Sequence, residues 1–240
     1  MYKISYLDIF HLLSPITYFS FVIIIKKYIT PCPESIKMKK FRKIHNIFLS
    51  ILSAIMLILL IIGTYQESKF SSIYSLYCNS FNNNEIILLS TSLFLYSKYI
   101  EWGDTLFLQL SGKKISMLQL THHASTGILS YLNYRPTISP LSFIPQGLNC
   151  FVHIPMYWYF AYPKGFLFKY RKSITKIQIY QHIIIVFSCI YTIFINPECK
   201  QNYYGIRLGL ALYLMYFVFF MEFYIRNYIK KLNTIQIKYK

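Results

Sequence analysis

Acidic residues are scarce in this chain. Eight Asp and Glu stand against 25 Lys and Arg in 240 residues, for a formal net charge of +17. Charged residues of either sign make up only 14% of the sequence, while 55% is hydrophobic. That is less charge than a soluble domain carries, and it leaves no room for a sizeable one. Glycine is also thin, at eight residues, and neither a GxGxxG nor a phosphate-loop pattern occurs. The glycine-rich nucleotide cradles are therefore excluded. No internal repeat and no Pro-, Gly- or Ser-rich linker divides the chain, so residues 1–240 read as a single domain.

Apolar sequence fills the space. Seven stretches stand out: Ile9–Ile25, Ile47–Tyr65, Ile86–Leu110, Ile115–Leu132, Leu141–Tyr162, Ile177–Ile195 and Ile206–Tyr228. Each has the roughly 17–25 residues that a helix needs to cross ~30 Å of hydrocarbon. The fold class expected is an all-α membrane protein with seven transmembrane helices in one bundle, surrounded by membrane lipid. The amino-terminal apolar run is long, is followed rather than preceded by lysines, and has no small-residue cleavage site. It reads as the first span, not a signal peptide.

Seven spans put alternate loops on opposite sides, and the basic residues sort accordingly. One side collects Lys26, Lys27, Lys37, Lys39, Lys40, Arg42 and Lys43, then Lys113 and Lys114. It also holds Lys164, Lys169, Arg171, Lys172 and Lys176, and the tail residues Arg226, Lys230, Lys231, Lys238 and Lys240. The other side has Lys3, Lys69, Arg135, Lys200 and Arg207, and Lys98 falls within the third stretch. The positive-inside rule makes the richer side cytosolic, with the amino terminus lumenal or outside and the carboxyl terminus cytosolic. Charge sorted by side argues against nucleic acid as the partner. Cys150 and Cys189 lie within spans and Cys32 is cytosolic. Cys78 and Cys199 both fall in lumenal loops, where a disulfide is permitted but two free thiols are equally open.

Polar side chains inside spans are costly and mark function or an internal cavity. Four spans carry them at helical spacing. Lys98, Glu101, Asp104 and Thr105 are related by steps of three or four; so are Gln119, His122 and His123. Asn149, His153, Met156 and Tyr157 follow the same rule, as do Thr175, Gln178, Gln181 and His182. At ~1.5 Å per residue, His122 and His123 lie ~12–14 Å below Lys114, and Asp104 ~14 Å from Lys113. His153 lies ~16 Å from Lys164 by the same count. Singly, each has an ordinary structural explanation: a buried ion network, a satisfied core histidine, interhelical amide glue. Together, at matching depth, they imply a polar chamber in the cytosolic half, suited to a molecule with a charged, cytosolic head.

These segments resemble the motifs of the very-long-chain fatty acid elongase (ELO) family. "KYIEWGDT" is similar to its KxxExxDT, and "QLTHH" stands where the family has a HxxHH box. "NCFVHIPMYWYF" resembles NxxxHxxMYxYY with Phe160 replacing the last Tyr, and "TKIQIYQ" fits TxxQxxQ. The four occur in the family's order between Lys98 and Gln181. The departure that matters most is Gln119 at the first box position, since an amide forms hydrogen bonds but cannot carry a proton charge.

The resemblance implies a 3-oxoacyl-CoA synthase of the endoplasmic reticulum membrane: seven helices, six of them around an acyl-chain tunnel. The reaction implied condenses a fatty acyl-CoA with malonyl-CoA, giving a 3-oxoacyl-CoA, CO2 and free CoA, with no cofactor and no metal. By motif position, His122 is the expected nucleophile, forming an acyl-imidazole. His123 and His153 would move protons or orient the thioester, and Asn149, Gln119 and Gln178 would donate to a carbonyl. Glu101 and Asp104 would fix imidazole tautomers or pair with Lys98. Tyr157 and Gln181 complete the substrate-binding set, and Lys113, Lys114, Lys169, Arg171 and Lys172 would meet the CoA phosphates. The family's lumenal disulfide favours Cys78–Cys199. A homodimer or other enzymes of the elongation cycle are the implied partners.

Three alternatives remain. A di-iron desaturase also uses HxxHH boxes but needs about eight histidines; this chain has six, with His11 and His45 expected away from the others. A seven-span receptor or transporter shares the span count but gives no reason for four ordered motifs. A degenerate, inactive elongase is the third.

Overall fold

A computed structural model of the chain describes residues 6–31, 35–67, 84–134, 141, 143–195 and 203–230. Among the described residues there are helices and no strand. The loops holding Cys78 and Cys199, and hence the disulfide expectation, lie outside this set.

Helix α1 spans Tyr6–Tyr28 and ends on Lys26 and Lys27, whose charges suit the negative end of the helix dipole. Helix α2, Ile36–Gln66, starts at Ser35, whose hydroxyl accepts from the Met38 amide at 3.2 Å. Helix α3, Glu85–Ile100, starts at Asn84, whose side chain accepts from the amides of Ile86 and Ile87. Helix α4 is the short Trp102–Leu110. It ends at Gly112, which has φ 68°. There the Lys113 amide reaches back to the Leu108 carbonyl at 3.0 Å and Gly112 to Gln109 at 2.9 Å, a Schellman closure requiring glycine's left-handed backbone. Helix α5 is Met117–Tyr134 and α6 is Phe143–Ala161. After a short 3-10 turn at Phe166–Tyr170, α7 runs over Arg171–Ile190 and α8 over Tyr203–Tyr224; each ends in a widened π turn.

The third apolar stretch differs from the unbroken helix expected. It parts at Glu101 into α3 and α4, and the Asp104 amide bonds three residues back to Glu101 at 3.0 Å. Lys98 and Glu101 therefore do not share a face with Asp104 and Thr105 in the manner of one straight helix. A close approach explains the glycine at this break. A Cβ on Gly103 would stand 2.7 Å from the His45 ring carbon Cε1, so only glycine admits that ring.

Contacts between helices close a ring of six rods, in the order α2, α6, α7, α8, α5 and the α3–α4 pair, which returns to α2. Helix α1 packs outside the ring, against α5 and α4. Four segments are long and apolar enough to cross a membrane by length and composition: Tyr6–Tyr28, Lys37–Gln66, Phe166–Phe194 and Tyr204–Lys230. The remaining rods are shorter, and α5 and α6 carry the imidazoles and amides that dilute their apolar character.

Polarity runs inside out. Apolar side chains such as Leu13, Ile16, Ile24, Ile51, Ile58 and Ile61 are exposed along the outer faces of α1 and α2. Polar ones such as Asn46, Ser50, Ser53, Ser90 and Gln146 are buried between rods. Hydrocarbon is as apolar as leucine, so helices in it associate through close packing and interhelical hydrogen bonds. Gln146 Nε2 donates to Ser90 Oγ at 2.8 Å, Ser90 to the Met56 carbonyl at 2.8 Å, and Ser50 to the Ile154 carbonyl at 2.9 Å. These bonds tie α6 to α3 and α2 along their length. Two apolar clusters, Leu60–Ile87–Phe143 and Leu141–Ile185–Cys189–Ile206, fill the end of the ring opposite the lysine-bearing helix ends.

Candidate functional site

The ring surrounds a cavity of about 600 Å³ lined by residues from every one of its rods. Of the residues singled out in the sequence, Gln119, His122, His123, Asp104, Glu101, Asn149, His153, Tyr157, Gln178, Gln181, Lys113 and Arg171 all stand on its wall. Lys98, Lys114, Lys169 and Lys172 do not. Lys114 is exposed beyond the rim, and Lys98 is packed behind Glu101.

Lys98 is the hub of a buried network. Its ammonium donates to Glu101 Oε1 and to Asn149 Oδ1, each at 2.8 Å, and both Lys98 and Glu101 are only 2% exposed. The pair is satisfied on both sides, which is the condition for an ion pair to survive burial. Its orientation propagates. With Asn149 Oδ1 held by Lys98, the Asn149 amide nitrogen faces His153 Nε2 at 3.1 Å and donates to it. That assigns the His153 proton to Nδ1, which points at Glu101 Oε1 from 3.6 Å. The network thus fixes one tautomer and one ring orientation at the cavity wall.

A second network holds Asp104. Its Oδ2 accepts from the Tyr157 hydroxyl at 2.9 Å, and its Oδ1 lies 3.1 Å from His45 Nε2. The expectation that His45 lies away from the other histidines is therefore corrected: α2 packs along α6, and the bare backbone at Gly103 lets the ring reach Asp104. The signal was present in the spacing, because Arg42, His45 and Asn46 are at i, i+3 and i+4 and share a face. Arg42 and Asn46 both line the cavity. His11, by contrast, lies with α1 outside the ring, bonded to the Tyr99 hydroxyl at 2.7 Å and stacked on Tyr131.

Gln119 is anchored as well. Its amide nitrogen donates to Thr105 Oγ1 at 3.2 Å, and that oxygen lies 2.8 Å from the Tyr18 hydroxyl of α1. One turn on, His122 and His123 meet edge to face, with centroids 5.5 Å apart. His122 packs against the Tyr216 ring of α8 at 5.0 Å, and the Tyr216 hydroxyl is held by Ser125 at 2.5 Å. On α7, Gln178 Nε2 donates to Met156 Sδ at 3.1 Å. The rim carries Arg42, Lys113 and Arg171 from three different elements, an electropositive entrance to the cavity.

Buried polar atoms normally have partners, and the exceptions need a reason. Here Glu101 Oε2, His123 Nδ1, Gln181 Oε1 and both ring nitrogens of His182 are buried without a hydrogen-bond partner among the described residues. All four residues line this one cavity. A wall of unsatisfied donors and acceptors, an imidazole free to attack, a proton-holding His153–Glu101 pair and a cationic rim together suit acyl transfer from an anionic carrier. Among the described residues, no group of three or more His, Cys, Asp or Glu is arranged to hold a metal ion.

The family model ELO, described as the GNS1/SUR4 family, matches residues 5–235. The chain is 27% identical to "Fatty acid elongase A" of Dictyostelium discoideum over 206 residues, covering 82% of this chain and 75% of that protein. It is 29% identical to "Very long chain fatty acid elongase 2" of Mus musculus over 242 residues, covering 95% of this chain and 78% of that protein. Against "Long chain fatty acid elongase 2" of Caenorhabditis elegans it is 32% identical over 146 residues, 58% and 53% of the two chains.

Proposed function

The chain belongs to the ELO (GNS1/SUR4) family, and from that premise we propose that it condenses a long-chain fatty acyl-CoA with malonyl-CoA. The products are a 3-oxoacyl-CoA, CO2 and free CoA. His122 attacks the thioester carbon; the C–S bond breaks, and the acyl group is left on the imidazole. The His122 ring proton goes to the departing CoA sulfur. Malonyl-CoA then loses CO2, its enolate carbon takes the acyl group from His122, and the released His122 ring nitrogen takes up one proton from solvent, the proton that the overall condensation consumes. No base is needed to make that carbanion, only donors for the developing oxyanion.

In this reading all seven rods cross the endoplasmic reticulum membrane, with α1 starting on the lumenal side. The Arg42–Lys113–Arg171 rim meets the CoA phosphates, and the acyl chain runs toward the apolar clusters at the far end. The observation that carries the proposal is the placement of His122, with the unsatisfied atoms of Glu101, His123, Gln181 and His182, on the wall of one cavity. Relatives named fatty acid elongases, matched over most of this chain, support the same reading.

The test is incorporation of labelled malonyl-CoA by membranes expressing the protein, across acyl-CoA substrates from medium to very long chain. The expected result is a labelled 3-oxoacyl product that disappears in His122→Ala. No product with any chain length overturns the proposal in favour of an inactive elongase-like or transporting protein.

A further inference from the structure

Three histidines of this chain are hydrogen-bonded by side chains: His11 by Tyr99, His45 by Asp104 and His153 by Asn149. His182 of α7 is held by none in this way. It is 1% exposed, lines the cavity, and has no hydrogen-bond partner at either ring nitrogen among the described residues. Its ring packs against the aromatic rings of Tyr213, Tyr216 and Phe220, at centroid distances of 5.9, 5.7 and 5.0 Å. A buried imidazole without partners is destabilising by the full desolvation of its polar atoms. A phenylalanine would fill the same aromatic nest without that cost.

Its place relative to His122 gives the cost a use. His122 packs against the same Tyr216 ring, at 5.0 Å, and His122, His153 and His182 all line the one cavity. Imidazoles from α5, α6 and α7 thus line the same cavity. The hydroxyl of Tyr216 is taken by Ser125. The amides that the sequence offers as carbonyl donors are committed within the protein: Asn149 to His153, Gln119 to Thr105, and Gln178 to Met156. Neutral imidazole carries one N–H donor and one acceptor nitrogen.

Resting on the acyl-transfer reading above, we propose that His182 is a catalytic residue that donates its ring N–H to the acyl carbonyl oxygen while His122 attacks. As the His122 nitrogen bonds to the carbonyl carbon, the C=O electron pair moves onto oxygen, and that oxygen accepts a hydrogen bond from the His182 N–H. When the pair returns, the C–S bond breaks and CoA leaves, protonated by the His122 ring proton. His182 keeps its own proton throughout. The acyl carbonyl therefore satisfies the donor that the protein leaves unpaired, and Gln119 need supply no imidazole to the site.

The experiment is the half-reaction of purified full-length protein with acyl-CoA alone, followed as CoA release and as the acyl adduct by intact mass. His182→Phe keeps the aromatic packing and removes the donor, and is expected to slow CoA release about 100-fold with unchanged thermal stability. His182→Gln keeps a donor and is expected to recover most of the loss. CoA release by His182→Phe at the wild-type rate overturns the assignment. Where the variants fail to fold, wild-type protein decides. Carbethoxylation of His182, mapped by mass spectrometry, is expected to be blocked more by a CoA thioether carrying a 2-oxoalkyl group than by a plain S-alkyl-CoA. Equal protection by both overturns the assignment. A wild type inert toward every acyl-CoA sinks the condensation reading itself, whereas an active wild type with an equally active His182→Phe sinks only the role of His182.

Discussion

Lys98 of α3 and Asn149 of α6 are joined by a 2.8 Å hydrogen bond from the ammonium to the amide oxygen, 51 residues apart in sequence. That one bond decides which end of Asn149 faces His153, and so which nitrogen of His153 carries the proton. A lysine away from the cavity wall thereby sets the state of a histidine on it.

Breaking this arrangement from one side leaves a buried charge unpaired. Lys98→Met is expected to cost about 3–5 kcal/mol of stability, because the Glu101 carboxylate stays buried without its counter-ion. Thermal unfolding in detergent measures it. Lys98→Met with Glu101→Gln is expected to regain most of the stability while activity stays low, since the orientation of His153 is not rebuilt. A double variant no more stable than Lys98→Met alone contradicts the account.

Gln119 and His122 are one turn apart but do different work. Gln119→Ala removes one neutral hydrogen bond to Thr105, worth about 1 kcal/mol, and is expected to cost about fivefold in condensation rate. His122→Ala removes the nucleophile and is expected to cost at least about 1,000-fold. Equal losses in the two variants would show that the glutamine does more than position its neighbours.

The contact between His45 and Gly103 gives a third expectation. His45→Ala deletes a hydrogen bond to the Asp104 carboxylate, of a kind worth about 1.5–3 kcal/mol, and kcat is expected to fall about 10-fold or more. Gly103→Ala should act in the same direction without touching a polar group, because its Cβ would meet the His45 ring at 2.7 Å. Full kcat in Gly103→Ala would mean that the ring can shift without disturbing Asp104.

Charge at the rim should act on binding, not on chemistry. Arg42→Ala and Arg171→Ala are each expected to raise KM for acyl-CoA about 10-fold at low ionic strength, with kcat preserved and the difference shrinking as salt is added. A short acyl thioester lacking the nucleotide is the control, and its KM should not change. Losses of the same size on that control would place the two arginines in folding instead of CoA capture.

Much of this protein is written along the chain. Apolar runs of spanning length, basic residues sorted by side, and polar residues at steps of three and four are local properties. They placed His122, Gln119, Asn149, His153, Gln178 and Gln181 on inward faces before any helix was packed against another. The helix break at Glu101 was not legible, since "KYIEWGDT" has helical spacing throughout. Nor was the close approach of the His45 ring to Gly103 beside that break.

What tertiary structure alone decided are the pairings across long separations: Lys98 with Asn149, His45 with Asp104, Tyr18 with Thr105. Spacing says which residues share a face, but not which face meets which, because helix association in a membrane turns on close packing at specific contacts. The same limit explains His182. Its sequence position puts it beside Gln181 on α7, whereas its lack of a hydrogen-bond partner among the described residues, and the Tyr216 ring it shares with His122, arise only when α5, α7 and α8 close around Tyr216.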